Sequence, residues 1–238
     1  MGKYEFHTRN DQDEVPFMRG WTYEKDGTIK LRQAVDREVA EEVDNFSEEL
    51  GPPELAELPV FSAALYYEHG GTKLRAYAME QVRQKNLGSS WAEFGVERGL
   101  SAYFWTHYLA DDGQLYLFDS WEGLPEQWVK RRDVDDETGV TTLGGMPVGA
   151  FAGHPPEFHD DKDRVHLVKG WFEDTLPKAD MGELGFLHID CDLYSAAKTV
   201  LQRCNEQIVP GTIILFDELW GYQCWREGEY QALMEWDR

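Results

Sequence analysis

Apolar positions before residue 90 follow a helical rhythm. Over residues 29–50 they recur at every third or fourth position, which predicts a helix. The positions concerned are Leu31, Val35, Val39, Val43 and Phe46. Gly51-Pro52-Pro53 breaks this helix, and a second helical stretch is predicted over 60–85. Residues 1 to about 30 lack the pattern and are expected to form an irregular leader.

From residue 90 onward, short apolar runs alternate with helical stretches. The runs cover 91–96, 115–118, 165–168, 186–189 and 212–216, and helices are predicted over 99–110, 122–131, 173–181 and 195–208. This order predicts an α/β fold with a mostly parallel sheet and helices on both faces. We expect an N-terminal leader and helical cap over 1–88 and a ligand-binding core over 89–238, packed as one compact unit.

The composition narrows the range of partners. With 45 acidic and 23 basic residues the net charge is −22, which repels phosphate backbones and argues against nucleic acid. The acidic surface fits either an ordinary soluble protein or adaptation to high salt. No apolar run reaches the roughly 20 residues of a membrane helix, and the polar N-terminus is no signal peptide. Three cysteines without zinc or disulfide spacing favour a cytoplasmic protein.

The first predicted strand ends in a glycine turn. Glu93-Phe94-Gly95 closes the strand, and Gly99 opens the next helix. Glycines here permit a tight turn and a close approach of ligand to backbone, while a helix start offers free N–H groups. These groups would face a pyrophosphate in a dinucleotide or the methionine carboxylate in S-adenosylmethionine (SAM), whose ammonium Glu93 would meet. A purely structural turn is the alternative.

The next two strand ends carry an acid and two aromatic residues. Asp119 lies 24 residues after Gly95, where an acid grips a ribose hydroxyl. Its alternative role is to cap a helix. Gly170-Trp171-Phe172 follows the third strand, and an aromatic ring there either stacks on adenine or belongs to the core.

Carboxylates follow the last two strands. Asp190-Cys191-Asp192 ends one strand and Asp217-Glu218 the other, so Asp190, Asp217 and Glu218 should converge at the sheet edge. Clustered carboxylates do not all remain ionised without a cation, and an oxygen-only shell favours Mg²⁺ or Ca²⁺. The alternative is that Asp192 and Asp217 cap helices.

Taken together, these blocks resemble the macrocin O-methyltransferase family. The resemblance rests on the segments 93–101, 118–125, 170–177, 188–195 and 210–218, which occur in the family's order over residues 90 to 222. The most specific segment is Phe118-Asp119-Ser120-Trp121-Glu122-Gly123-Leu124-Pro125. The N-terminal third matches no family that we recognise.

The resemblance implies a Rossmann-like class I SAM methyltransferase that methylates a hydroxyl of a sugar or other natural product, with Mg²⁺ nearby. It places the cofactor on Glu93, Gly95, Val96, Gly99, Ser101, Asp119, Ser120, Gly170, Trp171, Phe172 and Asp190. It places the metal on Asp190, Asp217 and Glu218, although the family more often has aspartate at the last position.

In such an enzyme the acceptor oxygen must line up with the SAM methyl group, and a base must take the hydroxyl proton. Asp190 or His188 is the predicted base, and His188 is alternatively a buried strand histidine. Residues 133–163 read as a long insertion that either covers the acceptor or forms a solvated loop. Its candidate polar residues are His154, His159, Asp160, Asp161 and Asp163.

The C-terminal part is short for this fold and rich in aromatics. From Gly228 onward there is room for one helix but not for the usual β-hairpin, so either the sheet is short and its edge is covered otherwise, or the chain is trimmed. An uncovered edge would invite pairing with another copy. The aromatic tail forms an association surface, which would favour a homo-oligomer, or packs on the domain. Two further functions compete: an NAD-dependent oxidoreductase, disfavoured because Gly-x-Gly-x-x-Gly is missing, and a non-catalytic SAM-binding scaffold.

Overall fold

The computed structural model describes residues 21–23, 29–31, 60–62, 75, 78–83, 90–135, 138–158, 163–219 and 222–236. The strands are β1 (Trp21–Tyr23), β2 (Ile29–Leu31), β3 (Val60–Ser62), β4 (Ser90–Phe94), β5 (Gln114–Asp119), β6 (Trp128–Val134), β7 (Thr141–Met146), β8 (Val165–Lys169), β9 (Leu184–Ile189) and β10 (Ile208–Phe216). The α-helices with complete bounds are α1 (Leu100–Thr106), α2 (Phe172–Thr175), α3 (Tyr194–Arg203) and α4 (Glu229–Met234). No helix in these ranges is long and apolar enough to cross a membrane.

A six-stranded sheet forms the centre of the molecule, in the order β3-β10-β9-β4-β5-β8. Every neighbouring pair in it is parallel. Every residue of β9 is buried, as expected for a strand covered on both faces. One apolar cluster contains Ala197 and Leu201 of α3, and the other contains Trp105 of α1 and Met79 of the helical segment 78–83. The predicted parallel sheet with helices on both faces is therefore confirmed.

The N-terminal part contributes strands where helix or irregular chain was predicted. Residues 60–62 pair in parallel with Ile214–Phe216, so the helix predicted from residue 60 is wrong at its start. β1 and β2 form an antiparallel pair in place of irregular leader and helix. The helical segment 78–83 agrees with the prediction, and the remaining predicted helical positions lie outside the described residues. Pairing to an existing sheet outweighs a local helical pattern because it satisfies backbone groups of both strands.

Strand β3 also answers the question of the sheet edge. It lies beside β10, so the neighbouring position is filled from the N-terminal part of the chain. The alternative of an edge covered by another segment is thus the one observed. The division of the chain at residue 88 stays a prediction, although the central sheet draws a strand from before it.

The helix predicted over 122–131 is wrong, because a β-hairpin begins there. β6 pairs antiparallel with β7, and the loop before it is non-helical. Gly145 makes this pairing possible: its φ is +156°, and a Cβ on it would lie 1.9 Å from the Trp128 carbonyl oxygen. The insertion predicted as a loop over 133–163 therefore contains strand β7 and the end of β6.

The aromatic tail packs on the domain. Ala232 and Leu233 of α4 belong to a core cluster, against which Trp225, Tyr230 and Trp236 pack. Around them, Lys198 forms an ion pair with Glu235 at 2.8 Å, and the Trp236 indole donates to Asn205 at 3.0 Å. These rings therefore pack against the core of their own chain, and the oligomeric state stays a prediction. Trp220 lies outside the described residues.

Candidate functional site

A cavity of about 440 Å³ opens where the central strands end. The loops after β4, β5, β8, β9 and β10 line it. The predicted site residues on its surface are Gly95, Val96, Ser101, Asp119, Ser120, Gly170, Trp171, Phe172, Asp190 and Glu218. Glu93, Gly99, His188 and Asp217 are not on that surface. The edge location agrees with the rule that ligands of parallel α/β sheets bind beyond the carboxyl ends of strands.

The turn after β4 depends on glycine. Gly95 has a φ of +90°, and a Cβ on it would lie 1.7 Å from the Asp190 carbonyl oxygen. The backbone N–H of Gly95 donates to Phe118 at 3.0 Å, and the N–H of Asp190 donates to Phe94 at 2.9 Å. Three strand ends are therefore held at a spacing that no larger residue permits.

Asp119 shapes the neighbouring turn. Its Oδ2 accepts the backbone N–H groups of Val96 at 2.8 Å and of Glu97 at 2.9 Å. Its Oδ1 accepts the N–H of Trp121 at 2.6 Å. Residues 120–127 are not helical, so the helix-capping alternative is wrong. Asp119 also lines the cavity, so its carboxylate shapes this part of the site and is accessible to a ligand.

Replacing Asp119 by asparagine should weaken both the fold and the site. In either amide orientation an NH₂ group faces a backbone donor, so at least one of the three hydrogen bonds is lost. We expect a loss of roughly 1–3 kcal/mol in the free energy of unfolding and weaker binding of S-adenosylhomocysteine (SAH). Calorimetry measures both quantities. Asp112→Asn, at an exposed position, is the control, and an unchanged melting temperature of Asp119→Asn contradicts the prediction.

The aromatic pair after β8 divides between core and cavity. Phe172 meets Phe94 edge-on with ring centroids 5.8 Å apart, and it also lines the cavity. Trp171 is half-buried on the cavity surface. Gly170, at a φ of +138°, turns the chain between β8 and these rings. Stacking of either ring on adenine stays a prediction.

Glu93 and His188 form a buried pair behind the cavity. Both side chains are fully buried, and the His188 Nδ1 lies 2.8 Å from the Glu93 Oε1, which also accepts the Ser101 hydroxyl. The His188 ring meets Trp105 edge-on at 5.2 Å. His188 is thus a buried strand histidine, a position that disfavours the role of base that was predicted as one alternative. The contact between Glu93 and a cofactor ammonium likewise stays a prediction.

The acidic residues group differently from the expectation. One carboxylate oxygen of each of Asp190, Asp192 and Glu218 lies within 4.8 Å of the others, and we call these three residues the acid cluster. Asp217 instead accepts from the buried Arg75 at 3.2 Å. Asp192 adopts a φ of +65°, and α3 shows no side-chain cap, so Asp192 does not cap that helix. Within the described chain, the Glu218 Oε2 is buried without a hydrogen-bond partner.

Burial makes ionisation of the acid cluster unfavourable. Desolvation, followed by the charge of Asp217, raises the pKa of Asp190 and that of Glu218 well above their usual values. Desolvation likewise raises the pKa of Asp192 to about 7, although the charge of Lys130 opposes the shift. At neutral pH these carboxyl groups therefore either retain protons or share a cation.

The profile of the family described as macrocin-O-methyltransferase (TylF) matches residues 56–231. The chain belongs to this family. The resemblance noted in the sequence is thereby confirmed, and the matched range includes β3 as well as the whole cavity.

Curated relatives of this macrocin O-methyltransferase family member match over part of their length. The chain is 36% identical over 151 residues to the mycinamicin III 3''-O-methyltransferase of Micromonospora griseorubida, covering 60% of this chain and 59% of that one. It is 29% identical over 149 residues to the 8-demethyl-8-(2,3-dimethoxy-alpha-L-rhamnosyl)-tetracenomycin-C 4'-O-methyltransferase of Streptomyces olivaceus, covering 60% and 57%. The aligned part thus spans less than two thirds of these relatives.

A solved structure of similar fold is that of the calicheamicin methyltransferase CalS11. It is 23% identical, with a TM-score of 0.50, over 83% of this chain and 82% of that chain. At this identity the likeness establishes the fold alone. The Rossmann-like fold of class I SAM methyltransferases, expected from the resemblance, is confirmed.

Several residues in or beside the candidate site of this chain were not predicted from the sequence. Lys130 lines the cavity, and its Nζ lies 3.7 Å from the centre of the Trp128 ring. Both were missed because they were assigned to a helix. Arg75 and Glu229 were missed because nothing in the residues around either one indicates its partner, and only the fold brings them close to the acidic residues of the site.

The hairpin and the loops beside it form a side of the cavity that is mainly apolar, although Lys130 also lies there. Leu124, Trp128, Met146 and Phe151, from the hairpin and the loops beside it, line this side. Of the polar residues expected over the acceptor, His154 is exposed and not on the cavity surface, as is Asp163. The other three, His159, Asp160 and Asp161, lie outside the described residues.

The raised pKa of Asp192 predicts that stability depends on pH. Between its usual value of 3.8 and about 7, the folded protein retains a proton that the unfolded chain releases. The free energy of unfolding therefore falls as the pH rises through this window. We expect a higher melting temperature near about pH 5 than near about pH 7 in chelator and constant KCl, which screens the net charge.

Asp192→Asn serves as the matched control for this pH series. It removes the titrating group while retaining the shape, so its melting temperature should vary less across the same window. An equal slope in both proteins contradicts the assignment of the pH dependence to Asp192.

Proposed function

We propose that this chain is a SAM-dependent O-methyltransferase that methylates a hydroxyl of a sugar or other natural-product acceptor. The observation that carries the proposal is one cavity that joins the Gly95 turn and Asp119 to the acid cluster. A cofactor site and an oxygen-rich site for a hydroxyl therefore share the same space. The names of the two relatives, both O-methyltransferases, support this assignment.

The glycine turn and its surroundings fit SAM. Gly95 lines the cavity at the end of β4, and we assign the methionine end of the cofactor to this turn. We assign the ribose to Asp119 and the adenine to Trp171 or Phe172, all of which line the cavity. When bound, SAM supplies an electrophilic methyl group to the acceptor oxygen.

The acid cluster fits a hard divalent cation such as Mg²⁺. Its ligand atoms are all oxygens, and the Glu218 Oε2 has no hydrogen-bond partner in the described part of the chain. We assign the ion to Asp190, Asp192 and Glu218. Asp217, which the family resemblance implied, is engaged with Arg75 instead. The bound ion would lower the pKa of the acceptor hydroxyl.

Asp190 is the residue that we assign as general base. It lies on the cavity surface, whereas His188 lies behind it. The hydroxyl proton would pass to an Asp190 carboxylate oxygen.

Binding and turnover measurements test this function. Calorimetric titrations with SAM, SAH and NAD⁺ are followed by transfer of a labelled methyl group to a panel of glycosylated natural products, with MgCl₂ or with EDTA. Tight SAM binding with Mg²⁺-dependent transfer supports the proposal. SAM binding without transfer to any acceptor favours the scaffold, and NAD⁺ binding without SAM binding favours the oxidoreductase.

We also propose that the protein is cytoplasmic, binds no nucleic acid and associates with copies of itself. The free cysteines Cys191, Cys204 and Cys224 are buried thiols that suit a reducing compartment. The net charge of −22 disfavours nucleic acid. The apolar side chains exposed along the hairpin, Val134, Val140 and Leu143, suit a contact with a second copy. Light scattering after size-exclusion chromatography measures the oligomeric state.

A further inference from the structure

Glu229 is a fully buried carboxyl group at the start of α4. Its Oε1 lies 3.4 Å from the backbone nitrogen of Cys191, from which it accepts a hydrogen bond. Its Oε2 accepts the backbone N–H of Glu218 at 3.2 Å. One side chain thus joins the loop after β9 to the loop after β10, and these two loops carry the acid cluster.

The position of this carboxyl group is energetically unfavourable. Desolvation, followed by the charges of Asp192 and Asp217, raises the pKa of Glu229 well above its usual value, and the backbone hydrogen bonds from Glu218 and Cys191 oppose this shift. A leucine would occupy similar space without the cost of burying a polar group. Glu229 is also absent from the cavity surface, so it contacts neither of the proposed ligands directly.

We propose that Glu229 is a positioning residue that sets the spacing of the acid cluster by clamping the Cys191 and Glu218 amides with one carboxyl group. Each clamped amide belongs to the cluster or adjoins it: Glu218 is a member, and Cys191 lies between Asp190 and Asp192. The metal-binding readout of this inference rests on the proposed function, whereas the hydrogen-exchange readout does not. The clamp itself is a property of the backbone.

The remainder of the C-terminal segment holds α4 in place. The Lys198–Glu235 ion pair and the bond from Trp236 to Asn205 attach its end to α3 and the residues after it. On the other side, the N–H of Cys224 donates to the Lys130 carbonyl at 3.1 Å. Because these contacts do not involve Glu229, its substitution should loosen the two loops without releasing the helix.

The test uses Glu229→Gln in the full chain. Glutamine has the same shape, but it presents an NH₂ group to one of the two backbone donors and can accept from only one. Hydrogen–deuterium exchange is measured on peptides that contain Cys191 and Glu218. We expect exchange of at least one of these amides to become about tenfold faster, with unchanged protection in β4 and β5. Glu183→Gln, the same change at an exposed site, is the control.

Binding of Mn²⁺, followed by electron paramagnetic resonance, provides the second readout. In Glu229→Gln we expect Mn²⁺ affinity to fall about tenfold, while SAH affinity stays within about twofold of wild type. Glu229→Asp retains both oxygens but is one methylene shorter, so it should loosen both amides. It also serves if the glutamine variant does not fold.

These outcomes separate the clamp from the proposed function. Unchanged exchange at both amides overturns the clamp, and so does a uniform loss of protection across the sheet, which would show a role in general stability alone. If wild type does not bind Mn²⁺, the metal assignment fails, while the exchange data still decide the clamp. Faster exchange confined to the two loops supports it.

Discussion

Gly95→Ala is expected to abolish SAH binding and to lower the melting temperature by roughly 5–15 °C. The added Cβ would lie 1.7 Å from the Asp190 carbonyl oxygen and 2.7 Å from its carbonyl carbon. Those atoms belong to backbone at the end of a central strand, so relief requires the loops after β4 and β9 to separate. The φ of +90° adds a further penalty for any residue with a side chain.

Gly182→Ala is the matched control for this substitution. Gly182 also has a positive φ, +65°, but a Cβ on it meets no atom within 4 Å. It should lose only the conformational term, about 1–2 kcal/mol, and retain its SAH affinity. Scanning calorimetry and titration calorimetry compare both variants with wild type. Similar losses in the two variants would show that backbone conformation, and not the contact with Asp190, explains the effect.

Asp192→Asn is expected to weaken metal binding, whereas Asp217→Asn is expected to lower the stability of the fold. Removing the Asp192 carboxylate should weaken Mn²⁺ binding about 100-fold or more, because it deletes one of the three assigned ligands. Asp217→Asn should leave Mn²⁺ affinity within a few-fold of wild type. It should instead destabilise the fold by roughly 3–5 kcal/mol, because it breaks the buried ion pair with Arg75.

Electron paramagnetic resonance for Mn²⁺ and thermal unfolding for stability separate the two substitutions. SAH affinity, measured in both, shows whether the cofactor part of the cavity is intact. If Asp217→Asn loses the metal and Asp192→Asn retains it, the ligand set implied by the family resemblance is correct and the assignment made from the structure is wrong.

The strands of the central sheet were predictable because burial on both faces leaves a readable run of apolar residues. The runs at 115–118 and 186–189 lie within β5 and β9. Helices were predicted less reliably from the sequence. A helical spacing of apolar positions does not show whether the segment can pair with another strand in the fold. For this reason 60–62 and 128–134 form strands where the local pattern favoured helix.

The residues of the candidate site were predictable where they lie at strand ends. Gly95, Asp119 and Asp190 each follow or close a buried run, and a parallel sheet brings such positions to one edge. The sequence alone also indicated the family, because the characteristic blocks of residues and their order can be recognised without knowing which residues are in contact. The family profile over 56–231 agrees with this interpretation.

Which carboxylates face one another was decided only by the tertiary structure. Asp192 turns to the cavity through a left-handed backbone conformation, and Asp217 turns to an arginine that is 142 positions away in the chain. Glu229 reaches the same loops from the C-terminal helix. The sequence therefore determines the strands, the edge and the kinds of residue present there. The fold decides which side chains become partners, because a buried charge pairs with a group that is close to it in space. Separation along the chain does not reveal that proximity.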